Sequence, residues 1–465
     1  MQTSESIASP IDGGPSISKK SGSIGSPNPL ASTTYNSAML RENIYASKNQ
    51  ASSKFQLSQV NLQGVPRQMQ SPRHASQQSV IKTVDPQLNG FPSAVKFPMP
   101  AAEALKCFSA VMTEWERKEI LEYQTVYYFN YEERKRWKGK EASLPGGADW
   151  GRTNETTNNG FDTDQQEYFV RYNDHVDYRY EVVKKLGKGS FGIVLRCFDH
   201  KMKEFVALKI LKNKKRLYKQ GLVEAKLIET LNVKDPEDKK NIIKKLDQFV
   251  FRKHLVITFE LLSVNLYDFI KMNNFQGFSL SLIKRFAIQI LISLYFLREN
   301  NIVHCDLKPE NILLRKINKS GIKIIDFGSG CFEDQKIYTY IQSRFYRAPE
   351  IVLGIPYTAA IDMWSFGCIL YELYVGYPLF PGEDEKEHMA LMMEVKGVPP
   401  RSVLARATRR KVFFDEDYQP ILTPNSKGKV RLPNSKQLQQ LMNCSDLDFV
   451  DFIDVSISPK IRCNV

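Results

Sequence analysis

At 465 residues, with 42% apolar and 25% charged side chains, the chain is long enough for two or three ordinary domains, or for one large two-lobed domain with extensions, and has a soluble globular composition. No run of about 18 apolar residues offers a membrane span, the start at Met1 lacks the features of a signal peptide, and the scattered cysteines, without a Cys-x-x-Cys pair, predict neither a disulfide framework nor a zinc knuckle. The net charge of +14 is widely spread and comes with no nucleic-acid module, so neither a specific nucleic acid nor a membrane is an expected partner. Cytoplasmic residence as a monomer is the expectation, with nuclear entry left open by the basic run Lys214-Lys215-Arg216.

Residues 1–95 are rich in Ser, Gln, Asn, Pro and Gly without apolar periodicity, which predicts a disordered tail. Its Ser-Pro pairs at Ser9, Ser26 and Ser71 could serve proline-directed kinases or be ordinary low-complexity sequence. From Ala101, the helical spacing of Ala104, Leu105, Phe108, Val111 and Met112 predicts a short helical unit, and Thr113 with Glu116 reads as a capping box opening a second turn through Ile120 and Leu121. Thr125 to Phe129 is rich in strand formers, and a polar loop is expected over 138–160. Strands are predicted at Tyr180–Leu186, Val206–Ile210 and Leu255–Leu262, and helices at Leu222–Leu231 and Leu282–Leu297. Strands first and helices later predict an α+β chain, a β-rich small lobe on a helical large lobe.

Gly187-Lys188-Gly189-Ser190-Phe191-Gly192 directly follows a predicted strand, where missing side chains let backbone amides approach a phosphate. A dinucleotide-binding fold would open a helix at these glycines; here a Val-rich strand through Val194 follows, with Lys209 fifteen residues beyond it. Lys209 is placed to meet phosphates, oriented by an acid on the next helix, Glu224 or, as the fallback, Glu229. The run from His304 through Asp306, Lys308, Glu310 and Asn311, followed by Asp326-Phe327-Gly328, supplies what phosphoryl transfer needs: a carboxylate at the attacking hydroxyl (Asp306), a cation at the moving phosphoryl (Lys308) and two metal ligands (Asn311 and Asp326). Glu350 and Asp362 look structural, the first wanting a buried Arg, the second receiving backbone amides of the catalytic loop.

These motifs resemble the protein kinases, and among them the dual-specificity tyrosine-regulated kinases, the DYRK family of the CMGC group. The resemblance rests on His304-Cys305-Asp306, on Asp326-Phe327-Gly328-Ser329-Gly330, and above all on the string from Tyr338 through Tyr340, Arg344 and Arg347 to Glu350. Asn173 to Glu181 is similar to the family's DH box, and residues 96–179 to the accessory region of its class II members, ahead of a kinase domain over 180–465. The resemblance implies a two-lobed kinase fold, ATP with Mg2+ (Mn2+ as the alternative ion), and protein substrates phosphorylated on Ser and Thr. It implies an ATP pocket that adds Leu186, Ala207 and Leu313 to the glycine loop, with Phe259 as gatekeeper and Glu260, Leu261 and Leu262 facing adenine.

Cys305 stands where many kinases carry an Arg that meets an activation-loop phosphate, a bond cysteine cannot make. The resemblance places an autophosphorylated tyrosine at Tyr340, which Arg344 and Arg347 are close enough in sequence to clamp. It also implies that Glu310 attracts an Arg upstream of the phosphoacceptor and that Arg347 shapes a pocket tolerating a following Pro. The family pattern continues beyond Val465 through a closing helix, so an early stop is expected to expose apolar surface, with Arg462 the candidate partner for Glu350. A catalytically impaired chain acting as a binding scaffold is the alternative reading.

Overall fold

The computed structural model describes residues 95–132, 158–336 and 338–458. The tail over 1–94, most of the predicted polar loop and Arg462 lie outside the described residues.

The accessory segment opens with β1 (Met99–Pro100) and α1 (Ala101–Phe108). It continues through α2 (Glu114–Glu119), a 3-10 turn over Ile120–Glu122, and β2 (Thr125–Val126), which pairs antiparallel with β1. The expected helical unit is thus two short helices with a break between Phe108 and Thr113, the second opening at the expected capping box. The break is where the capping box acts: Thr113 accepts from the Glu116 amide, while the Glu116 carboxylate accepts from the Thr113 amide. Phe108 stacks on Phe129 at a centroid distance of 5.3 Å, at the heart of a small core with Ala104, Ile120, Val126 and Tyr178.

A six-stranded antiparallel sheet follows in the order β3-β4-β5-β6-β8-β7. Its strands are β3 (His175–Val176), β4 (Tyr180–Lys188), β5 (Gly192–Asp199), β6 (Glu204–Leu211), β7 (Lys245–Phe251) and β8 (His254–Glu260). Gly192 is required where β5 meets β6, because a Cβ there would lie 2.1 Å from the Ile210 carbonyl oxygen. One long helix, α3 (Lys215–Lys234), crosses this lobe, and Gly221 lets it approach the sheet closely: a Cβ would lie 2.2 Å from a Leu211 methyl. That close approach sets the depth of Glu224, one turn further on.

The large lobe is helical. It begins with α4 (Leu266–Met272) and α5 (Leu280–Glu299) and includes the short strands β9 (Ile302–Val303), β10 (Ile312–Leu314), β11 (Ile322–Ile324) and β12 (Cys331–Phe332). It closes with α6 (Pro349–Leu353), α7 (Ala360–Val375), α8 (Glu385–Lys396), α9 (Arg401–Leu404), α10 (Leu438–Met442) and α11 (Leu447–Ser456). Helix α5 is long and apolar enough to cross a membrane by length and composition, yet Phe286, Ile290 and Leu297 are buried in the lobe's core. Helix α7 is buried on nearly every face, the pattern of a central core helix.

Candidate active site

The strand registers assemble the nucleotide side of the cleft. Val194 lies opposite both Gly187 on β4 and Lys209 on β6, and Ala207 lies opposite Phe259 on β8. Phe259 is buried at the back of the sheet, whereas Leu186 is exposed near its rim. Leu262, past the end of β8, donates no backbone hydrogen bond to the described residues, which leaves its amide to the cleft. Leu313 sits on β10 across the lobe junction, bridged to Asn265. Gly187 and Gly189 face open space. Ser190 shares a small cavity with the partly buried Phe191, and Phe191 carries its ring 6.0 Å from the Lys209 ammonium. Lys188, by contrast, turns its ammonium to Glu167 in the accessory segment at 2.6 Å, so its backbone alone remains for the cleft.

Lys209 donates to both oxygens of Glu224, at 2.7 and 2.9 Å, and to Asp326 Oδ1 at 2.9 Å. Glu229, the fallback partner, instead meets Lys245 on the surface. Burial alone would discharge this cluster, but the two carboxylates raise the Lys209 pKa, and Lys209 holds Asp326 down at about 2 against its own desolvation. Asp326 has a left-handed backbone at φ 61°, and Cys305 another at φ 65°. The strain at Cys305 is held by Asp362 on α7, which accepts from the His304 amide at 2.7 Å and the Cys305 amide at 3.0 Å.

Lys308 Nζ donates to Asp306 Oδ2 at 2.6 Å, and Asn311 Nδ2 donates to the Asp306 carbonyl at 2.8 Å. Holding its nitrogen there turns the Asn311 amide oxygen away, free to ligate. With Asp326 it forms a hard-oxygen pair suited to a cation that takes its other ligands from phosphate and water. Ser343 was missed by sequence reasoning: its amide and hydroxyl donate to Asp306 Oδ1 at 2.9 and 2.7 Å, and it accepts from Lys308 at 2.9 Å. A hydroxyl residue a few positions after Tyr340 carries no distinctive signal of its own. Lys323 was missed too. Its fully buried ammonium pairs with Glu260 at the end of β8 and with Asp238 at 2.7 Å, fixing the side chain of the residue that ends the strand.

Around the unmodified Tyr340, the two arginines of the expected phosphotyrosine clamp make different contacts. Arg347 reaches Tyr340, donating to its hydroxyl and lying 4.1 Å from its ring centroid. Arg344 donates instead to the Gly382 and Glu383 carbonyls. The phenol donates to Glu385 and accepts from Arg347, and Arg409 is the second guanidinium to interact with its oxygen. The second cation at Tyr340 is Arg409, 5.2 Å from the ring and paired with both oxygens of Glu385 at 2.9 and 2.7 Å. Burial pushes the Tyr340 phenol up to about 12, so it is neutral at ordinary pH.

Glu310 lies on the 3-10 turn after Lys308, and its burial raises its pKa. Glu350 is buried, with Oε2 lacking a hydrogen-bond partner among the described residues, and its pKa is raised to about 7.

The arrangement can hold a phosphate chain at Lys209, a divalent ion at Asn311 and Asp326, and a hydroxyl against Asp306. The protein kinase domain family model matches residues 180–444. Dual specificity tyrosine-phosphorylation-regulated kinase 2 of Drosophila melanogaster is 49% identical over 356 residues, covering 77% of this chain and 48% of that protein. Dual specificity tyrosine-phosphorylation-regulated kinase 4 of Homo sapiens is 47% identical over 374 residues, covering 80% and 69%. The DYRK-family kinase pom1 of Schizosaccharomyces pombe is 45% identical over 356 residues, covering 77% and 32%. The chain thus spans about half the length of the Drosophila relative. With this site and these likenesses, the chain belongs to the dual-specificity tyrosine-regulated kinase family, within the CMGC group of protein kinases.

Proposed function

We propose that the chain is a protein kinase that transfers the γ-phosphoryl of ATP to Ser and Thr hydroxyls of protein substrates, after phosphorylating its own Tyr340. The observation that carries this reading is the closed chain of contacts from Glu224 through Lys209 to Asp326, beside Asp306 and Lys308. ATP would supply the phosphoryl group, and Asn311 and Asp326 would hold Mg2+, whose charge would offset that of the phosphates. Asp306 orients the incoming hydroxyl and takes its proton, while Lys308 offsets negative charge on the moving group. Fixed charges that need no rearrangement supply most of the rate.

A phosphate on Tyr340 is read by Arg347, already in contact with the hydroxyl. Glu310 favours an Arg upstream of the phosphoacceptor, and Arg347 shapes the pocket for a following Pro. Mass-spectrometric mapping of the chain produced in bacteria tests the tyrosine step: phosphate on Tyr340 in the native chain and none in Asp306→Asn is expected. A fully active chain with unmodified Tyr340 would overturn it. An oriented peptide library in which acidic residues are preferred upstream would overturn the substrate reading.

A further inference from the structure

The accessory segment reaches the nucleotide site through one tight hairpin. Over residues 161–169 the chain turns back on itself: Asp162 bridges antiparallel to Tyr168, the Phe169 amide donates to the Phe161 carbonyl at 2.9 Å, and Gln166 at the bend is left-handed at φ 60°. Thr163 locks the bend, its hydroxyl accepting from the Gln165 and Glu167 amides at 3.2 and 3.1 Å. Phe161 and Tyr168 bury the base of the hairpin in the small-lobe core. Asp162 fixes it to the sheet, accepting from the Asn213 side chain just past β6 at 2.9 Å and facing the His254 ring of β8 at 2.8 Å. At the other end the Glu167 carboxylate pairs with Lys188 of the glycine loop at 2.6 Å and with Lys212 at 2.9 Å. The Lys212 amide in turn donates to the carbonyl of Phe191, further along the same loop, at 3.0 Å.

We infer that Glu167 is a positioning residue for the nucleotide phosphates, holding the glycine loop within their reach through Lys188 and Lys212. Gly187 and Gly189 face open space, so the loop has little packing of its own to fix it. A carboxylate set on a hairpin with a buried base supplies that restraint. Each contact alone is a modest ion pair, because Lys188 is half exposed. The shared carboxylate nevertheless ties both limbs of the loop to one rigid point, and it draws the Lys188 ammonium out of the cleft so that the loop acts through its backbone amides. Glu167 lies ahead of the matched kinase domain, which starts at residue 180, so part of the affinity for nucleotide is assigned to the accessory segment. The inference rests on the proposed use of ATP.

Titration of a fluorescent non-hydrolysable ATP analogue with Mg2+, and separately of adenosine, onto the full chain is the test. Glu167→Gln and Lys188→Met should each weaken the analogue about two- to fivefold, the scale of a half-exposed ion pair. The double variant should bind it no more weakly than either single one, because both remove the same contact. Adenosine has no phosphates for the loop to hold and should bind all four chains alike. An equal loss for adenosine would mean that Glu167 acts only on the fold, and would overturn the inference. Unaltered or tighter binding of the analogue by Glu167→Gln would overturn it too, as the result of a released Lys188 meeting the phosphates itself. A native chain that binds no analogue would overturn the proposed activity along with it, so the two failures are told apart by the native titration.

Discussion

Arg347 both donates a hydrogen bond to the Tyr340 hydroxyl and lays its guanidinium 4.1 Å from the same ring. Beside them, Arg409 is held by Glu385, the carboxylate that also accepts the Tyr340 proton. The neutral tyrosine therefore sits in a pocket of two guanidinium groups and one carboxylate, with one positive charge in excess.

A phosphate on Tyr340 reverses that excess, because its roughly two negative charges outweigh it and face Glu385. Arg409 is then expected to exchange Glu385 for the phosphate. Arg409→Ala should lower the stability of the Tyr340-phosphorylated chain by about 1.5–3 kcal/mol more than that of the phosphatase-treated chain. Glu385→Gln should favour the phosphorylated form. Thermal melts of both forms decide it; equal shifts would leave Arg409 without a role at the phosphate.

Arg252 joins the accessory segment to the sheet. Its guanidinium is fully buried and meets Glu119 at 2.9 Å, Glu116 at 3.1 Å and the Tyr168 hydroxyl at 3.2 Å, while lying over the Phe161 ring. Arg252→Ala leaves two buried carboxylates uncompensated and should cost about 3–5 kcal/mol. Combining Arg252→Met with Glu116→Gln and Glu119→Gln should recover much of that loss. Calorimetry of the three chains checks the pattern, and an Arg252→Ala chain as stable as the parent would contradict it.

Lys323 acts through Glu260 on the hinge, the segment after β8 that leads from the small lobe to α4 of the large lobe. Lys323→Met removes the cation and leaves the Glu260 carboxylate to the Lys244 amide, so KM for ATP should rise about three- to tenfold with kcat changed less. Steady-state kinetics at fixed peptide concentration give the split; an unchanged KM would mean that the hinge is held without Lys323.

Glu372 on α7 accepts from the Tyr346 hydroxyl at 2.6 Å, and burial raises its pKa to about 8 from an ordinary 4.5. The folded chain therefore binds a proton that the unfolded chain releases between these values. Stability from this group is full below about 4.5 and falls as pH rises toward 8. Glu372→Gln should stabilise the chain at pH 8 by about 1 kcal/mol or more and change little at pH 5. Melts at the two pH values test it, and an equal effect at both would contradict the burial argument.

The site was legible wherever its residues lie in short strings of fixed spacing: Asp306, Lys308 and Asn311 occupy one turn, and Asp326 follows at the next strand end. Lys209 and Glu224 were readable because a strand and a helix with clear periodicity carry them. Contacts made across long sequence separations left no local mark. Arg252 meets glutamates more than a hundred residues away, Lys323 looks like an ordinary strand lysine, and Arg409 sits in a basic run resembling a solvated face. Sequence distance from Tyr340 also says nothing of the carbonyls before α8 that Arg344 meets beside the unmodified tyrosine.

Transfer of radiolabelled phosphate from ATP to an Arg-containing Ser/Thr-Pro peptide, beside an Asp306→Asn control, tests the central claim most directly. Labelled peptide with the native chain and a loss of at least about a hundredfold with the control are expected. Equal labelling by the two chains would contradict it.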